Sequence, residues 1–496
     1  PDEVASFETD LRPGAFERVV DRLLASPRFG ERMAQDWLDA ARYADSNGYQ
    51  VDRDRDMWAW RDWVIGAFNR NLPFDQFTVE QLAGDLLPNP TFDQRVATGF
   101  HRNHMINEEG GIIAEEFLAE YCADRVETTA TVWLGLTFNC ARCHDHKHDP
   151  VTQRDFYSLL AFFHNVPEQG VGNYGAHYRR SSPPFLKLPS PEIEAQLDRL
   201  QADLVARTNQ LAVAESRLLA ELDAWERTGR AGLPEPPAEV LAALNKPSAT
   251  RDAAETQRVR EYRLKSDANR ETLVREVADL RKRIQDTEHS IPVTLVMAEM
   301  DSPRPTHVLK RGAYDRPGDP VTAATPAFLP PFPSGLSRNR LGLARWLVDP
   351  AHPLTARVTV NRFWQAFFGE GLVRTPGDFG TLGETPTHPE LLDWLAREFM
   401  ESGWDVKRLV RLMVTSATYR QDSRCPPALM AVDPENRWLA RGPRFRLSAE
   451  AIRDQALAVS GLLVSPLGGP SVRPYHPPGL YEQVVAGSSA DTYVPD

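Results

Sequence analysis

The chain has 496 residues, more than one hydrophobic core ordinarily serves, so roughly two to four structural units are expected. Its composition, 42% apolar and 25% charged, is that of a soluble globular protein, and no apolar run is long enough to read as a membrane span. A formal net charge of −12, with no lysine/arginine stripe interleaved with aromatics, argues against a nucleic-acid partner, and 4 cysteines are too few for a disulfide framework. The first residue, Pro1, falls in mid-pattern with no Met, so the product is expected to begin upstream, where any export signal would lie.

In chain order, apolar spacing predicts helices over 16–44, with Val19, Val20, Leu23 and Leu24 on one stripe and Met33, Trp37, Leu38 and Ala41 on another. Ser26-Pro27 marks the corner between them. Tyr43-Ala-Asp-Ser-Asn-Gly-Tyr49 is turn chemistry. Asp45, Asn47 and Asp52 gather oxygens around Gly48, but the bidentate Glu of a calcium loop is missing, so a hydrogen-bonded turn is expected. An aromatic helix follows over 57–68; its Trp58, Trp60 and Trp63 fit a core better than a sugar-stacking platform. His101 to Gly111 forms a polar loop whose Asn107, Glu108 and Glu109 are the first acid, base or sugar-hydroxyl candidates. A helix over 115–136 then leads into Cys140-Ala-Arg-Cys-His-Asp-His-Lys-His148.

That stretch is the chemical centre of the sequence. Shuffling this composition gives a C-x-x-C-H word only about once in a thousand chains. Two chemistries explain it. In c-type haem attachment, Cys140 and Cys143 bond the vinyl groups and His144 ligates the iron, with His104, His164, His388 and Met105 as candidates for the opposite position. In a zinc or other metal clamp, Cys140, Cys143, His144 and His146 are the ligands, although four ligands from seven consecutive residues strain a tetrahedron. A Cys140–Cys143 disulfide is the third possibility. Lys147 and Asp149 are candidates for orienting an imidazole or neutralising a propionate, against a plain surface ion pair. Cys122 and Cys425 read as small apolar residues.

Beyond the loop, a short apolar helix over 156–163 and a Gly/Pro-rich segment to Pro184 close the first unit, 1–185. Leucines at helical spacing over 190–229 and 250–290, parted by a Pro-rich joint at 233–237, predict an antiparallel helical hairpin over 186–290. β-formers at 291–297 and 306–309, bounded by Pro/Gly turns, predict a small β-rich insert over 291–335. The last unit, 336–496, returns to helices, with Thr387 expected as the cap of one over 391–399 and a proline-rich end from Ser471. The expected fold class is therefore mainly α, a multi-domain helical protein with a long hairpin and a small β-rich insert.

Several long motifs carry a resemblance. Tyr43-Ala-Asp-Ser-Asn-Gly-Tyr49, Asn107-Glu-Glu-Gly-Gly111, Asp124-Arg-Val-Glu-Thr-Thr-Ala130, Trp133-Leu-Gly-Leu136 and Cys140-x-x-Cys143-His144-x-His146-Lys147-x-Asp149-Pro150 resemble the planctomycete cytochrome-associated family domain-of-unknown-function 1549. Asn361-Arg-Phe-Trp-Gln365, Phe368-Gly-x-Gly-Leu-Val373, Thr375-Pro-x-Asp-Phe-Gly380, Thr387-His-Pro-Glu-Leu-Leu-Asp-Trp394 and Thr415-Ser-Ala-Thr-Tyr-Arg420 resemble its companion, domain-of-unknown-function 1553. The resemblance implies an exported, periplasmic-type protein working in polysaccharide breakdown, with a cytochrome or other redox partner, a polysaccharide or oligosaccharide ligand and a sulfatase-like companion. Relatives commonly carry a cytochrome-like domain upstream and continue past Asp496, and position 148, His here, is commonly aromatic in them, which demotes His148 as a ligand. The expected function is a haem c electron-transferring oxidoreductase. The alternatives are a zinc protein of hydrolytic or structural role, or a carbohydrate- or protein-binding module without catalysis.

Overall fold

The computed structural model describes residues 2–49, 52–171, 183–228, 235–475 and 477. Part of the Gly/Pro-rich segment before Pro184, part of the joint at 233–237 and most of the stretch after Ser471 lie outside the described residues. More than half of the chain is helical and, among the described residues, the strands form two small two-stranded sheets, so the fold is mainly α. Among the described residues no helix is long and apolar enough to cross a membrane.

The chain forms two compact units. The first joins 1–186 with 293–496, and the second is 187–292. The first, β-rich and last segments, expected as three units, thus share one. The reason is aromatic packing across the sequence. Trp37 of the Arg28–Ala40 helix meets Phe74, Phe77 and Trp133 edge-on, with ring centroids 5.0–5.7 Å apart. Phe74 in turn contacts Phe363 and Phe399 at 6.1 and 6.0 Å. Trp60 and Trp63, on the Trp58–Asn69 helix, are buried in the same core and form no sugar platform. A buried guanidinium adds a polar tie, with Arg340 gripping Asp85 through two bonds of 2.8 and 2.6 Å and the Leu82 carbonyl at 2.9 Å.

Within this unit the strand Phe185–Lys187 pairs with Val293–Leu295, and Thr306–Leu309 runs antiparallel to Pro317–Val321 with Thr306 opposite Val321. The expected cap at Thr387 is corrected: the Pro389–Glu401 helix has His388 at its N-cap with no side-chain cap. Thr387 instead bonds the Leu372 carbonyl through its own N–H at 2.9 Å. Proline at the first helical position needs no N–H acceptor there, which is why the start survives without a cap.

In the second unit, Pro191–Ala220 lies against Ala268–Ser290. Gln196 bonds Thr287, Arg207 pairs with Glu276 and Arg270 with Glu215, so positions rising along one helix meet positions falling along the other, and the pair is antiparallel. Three short helices between them, Leu222–Thr228, Ala238–Leu244 and Ala253–Lys265, close over a small core of Trp225, Val240, Ala243, Leu244 and Val259.

Candidate functional site

The Ala114–Thr129 helix positions both loops singled out in the sequence. Its side chains Phe117, Glu120, Tyr121 and Asp124 recur at three- and four-residue spacing and so lie along one side. Phe117 takes the Tyr49 ring at 5.7 Å, the Tyr121 hydroxyl accepts the Asn107 N–H at 2.8 Å, and Asp124 binds both Nη atoms of Arg42. Glu120 holds Arg142, inside the cysteine turn, through both carboxylate oxygens. Tyr49 is raised by burial and then by Glu120 and Asp124 of this helix and Glu109 of the polar loop, so carboxylates from two segments act on one hydroxyl.

A π turn, Ala130–Leu134, ends this helix at Gly135, whose φ of 59° only glycine adopts cheaply. A Cβ there would also lie 2.9 Å from Phe379 and Val358, so the close approach itself requires glycine. The chain then enters a 3-10 turn, Asn139–Arg142. Ala141 is buried and anchors it, while Cys140 and Cys143 are exposed free thiols. The Cys143 N–H donates to the Cys140 carbonyl at 3.3 Å, which sets the two residues one turn apart. The back of the turn is braced, since the Arg142 carbonyl accepts from the Tyr157 hydroxyl at 3.0 Å and from Gln153 Nε2 at 2.9 Å.

The two histidines of the loop differ. His144 is exposed, and its Nδ1 lies 2.7 Å from the Asp145 carbonyl. A carbonyl only accepts, so Nδ1 carries the proton and Nε2 keeps a free lone pair. His146 is packed inward, and its Nδ1 accepts the Asp149 N–H at 2.9 Å. In the neutral ring that leaves the proton on Nε2, so His146 fixes the loop rather than offering a ligand nitrogen. Among the described residues no group of three or more His, Cys, Asp and Glu side chains is arranged to hold a metal ion, and the set Cys140, Cys143, His144 and His146 is not assembled as a clamp. Two exposed thiols one turn apart, followed by an exposed imidazole whose Nδ1 is taken by the Asp145 carbonyl, do fit covalent haem attachment. Asp149 is buried and holds the Thr381 N–H, a structural role in place of the surface ion pair. Cys122 is buried, which pushes its thiol up to about 12, and Cys425 is half-buried.

The second loop is more buried than its sequence suggested. Asn107 and Glu108 are almost inaccessible, and Glu109 is half-buried. Asn107 is spent on structure, its Oδ1 accepting the Glu109 N–H at 2.8 Å. Glu108 Oε1 accepts from Asn47 Nδ2 at 3.3 Å, and Oε2 lies 3.3 Å from Arg53 Nε without hydrogen-bond geometry. Burial raises this carboxyl, and Arg53 and Asn47 only partly oppose it. Asp45, Asn47 and Asp52 do not converge on a cation. Asp45 Oδ1 takes the Met57 N–H, Asp52 Oδ1 takes the Gly48 N–H and Asn47 reaches Glu108. The expected turn is what forms.

None of the proposed opposite ligands is presented to the cysteine turn by these contacts. His104 has both ring nitrogens engaged, Nδ1 with the Met105 carbonyl and Nε2 with Arg125 Nη2, each at 2.9 Å. His164 bonds Thr306 and His388 bonds Thr387, both at 3.0 Å, and Met105 packs over Gly48. Sequence reasoning missed the charged cluster behind His104, where Arg125 grips Glu168 through both Nη atoms with Arg102 3.8 Å away, all inaccessible. The available signal was an arginine set among the apolar positions Tyr121, Cys122 and Val126.

Residues 1–168 match a family model described as Protein of unknown function (DUF1549), and residues 339–494 match one described as Protein of unknown function (DUF1553). No curated protein and no solved structure matches the chain.

Proposed function

We propose, for a chain that belongs to the DUF1549 family over residues 1–168 and to the DUF1553 family over residues 339–494, that the turn Cys140–His144 is an attachment site for c-type haem. The protein then acts as an exported electron-transferring oxidoreductase in polysaccharide breakdown, with a cytochrome as redox partner and a sulfatase-like companion on the same substrate. One observation carries the attachment reading: two exposed free thiols a single turn apart, next to an exposed imidazole whose Nδ1 is held by the Asp145 carbonyl.

Cys140 and Cys143 would hold the haem through thioether bonds, each S–H adding across one vinyl group, an addition that needs no oxidant. His144 Nε2 would hold the iron, and the Asp145 carbonyl on Nδ1 holds the ring orientation and raises its basicity. When bound, the haem supplies one-electron redox chemistry. Substrate class and partners rest on the family resemblance.

Expression in a host with cytochrome c maturation tests this. The expected product keeps a Soret band through acid–acetone extraction, and Cys140→Ala with Cys143→Ala loses it. A wild-type protein that acquires no such band and carries stoichiometric zinc, or a Cys140–Cys143 disulfide, overturns the proposal.

A further inference from the structure

Away from the cysteine turn, and sharing none of its residues, a cavity of about 470 Å³ opens between the Arg28–Ala40 helix, the Thr355–Phe368 helix and the start of the Ala449–Val459 helix. Its walls include the apolar rings of Trp37, Phe68, Phe363 and Phe445. Trp37, Phe68 and Phe363 are core residues, while Phe445 is half exposed.

Arg362 lines the same cavity. Its Nη2 donates to the Thr131 carbonyl at 2.9 Å and to the Pro376 carbonyl at 3.3 Å, which fixes the guanidinium plane. Its Nε is inaccessible and has no hydrogen-bond partner, and among the described residues no carboxylate pairs with Arg362. Of the buried arginines, Arg125 is matched by Glu168 and Arg340 by Asp85, whereas Arg55 and Arg441, like Arg362, are held by backbone carbonyls. An uncompensated guanidinium in a low-dielectric wall is costly unless an anion answers it. Burial lowers the Arg362 pKa, the direction expected for a cation lacking its counter-charge. The acidic lining groups, Asp36 and Asp39, are exposed and so stand at the mouth, and Asp36 is already paired with Arg32 at 3.1 Å.

We infer that this cavity binds a small organic acid with an apolar ring or chain, its anionic group on Arg362 and its body against Trp37, Phe363 and Phe445. Charge-assisted bonds from arginine to a carboxylate, sulfonate or phosphate ester share this chemistry. The site is separate from haem attachment and stands or falls without it.

Calorimetric titration of the full chain with benzoate, benzenesulfonate and phenyl phosphate, against neutral benzamide, tests the inference and identifies the anion. At least one anion is expected to bind about tenfold or more tightly than benzamide. Arg362→Met should erase that preference and leave benzamide unchanged. Equal binding of all four probes, or no saturable binding, overturns the inference. If Arg362→Met does not fold, Phe445→Ala decides: that ring is half exposed, so the fold survives, and an unchanged affinity for the preferred anion overturns it.

Discussion

Asp149 and Thr381 are joined across 232 residues of sequence, the Thr381 backbone N–H donating to Asp149 Oδ1 at 2.7 Å. The carboxylate lies where a side chain on Gly380 would begin, 2.6 Å from a Cβ built there. The end of the cysteine loop is therefore braced by a loop of the C-terminal segment, and the two family-matched regions meet there. Asp149→Ala removes the acceptor of the Thr381 N–H and should cost about 1 kcal/mol, the net worth of one such bond. Urea unfolding measures this, and amide exchange at Thr381 should accelerate. Gly380→Ala should reproduce both effects by displacing the carboxylate.

Glu168 is the counter-charge for a cluster of buried guanidinium groups. Removing its charge takes the carboxylate from the buried Arg125, so Glu168→Gln should destabilise the protein by about 3–5 kcal/mol, far more than an exposed pair would. Burial alone would raise this carboxyl, but the Arg125 charge and hydrogen bonds, with Arg102 and Arg304, bring it below the ordinary glutamate value. A lowered carboxyl contributes stability that is present above the unfolded value of about 4.3 and is lost as pH falls through the folded one. The wild-type protein should therefore lose stability below about pH 4 by an amount that Glu168→Gln lacks. A chemical-denaturation series against pH reads the difference, and parallel curves would refute it.

Four histidines impose an earlier acid sensitivity. Burial, reinforced by the Arg125 charge, holds His101 and His104 well below the ordinary imidazole value. Burial lowers His164 and His352 to about 4. Between the folded values and about 6.5 the unfolded chain binds protons that the folded one refuses, so stability falls as pH drops below about 6.5. Each histidine adds a slope of up to about 1.4 kcal/mol per pH unit. Stability should be flat above neutrality with respect to these groups, and His164→Gln should reduce the slope between about pH 6 and pH 4 by one histidine's share.

The helices were legible where apolar residues recur at helical spacing. Val20, Met33 and Trp37 are buried, as are Leu200, Leu218, Leu273 and Leu280 of the hairpin, although Leu23 of the first stripe is exposed. The Ala449–Val459 helix, which buries no residue, was missed because its pattern reports no core contact. The joining of the first and last segments depends on partners far apart in sequence, such as Phe74 with Phe363, and no local periodicity encodes such a pairing. At the candidate site, the C-x-x-C-H word revealed the thiols and His144. Whether His146 is a ligand or a brace depends on which nitrogen meets the Asp149 N–H, and only geometry decides that. Glu108 was legible as a polar loop residue, but its burial was not, because that comes from the Ala114–Thr129 helix and the Asn47 turn closing over it.

Asn361 supplies a sharper test of a motif the sequence singled out. It is fully buried on the Thr355–Phe368 helix, and its amide mimics a strand: Nδ2 donates to the Val373 carbonyl and Oδ1 accepts the Val373 N–H, each at 2.9 Å. Both backbone groups of Val373 thus depend on one side chain. Asn361→Asp keeps size and acceptor but cannot donate when ionised, and it buries a charge beside a carbonyl, so it should cost more than Asn361→Ala. The alanine variant, which strands two buried backbone groups, should lose about 2–4 kcal/mol. Thermal unfolding of the two variants at neutral pH gives the order. At low pH the aspartate variant should recover relative to alanine, since a protonated carboxyl can again donate to the Val373 carbonyl. An aspartate variant that stays as stable as wild type at neutral pH would show that this pairing does not hold the loop.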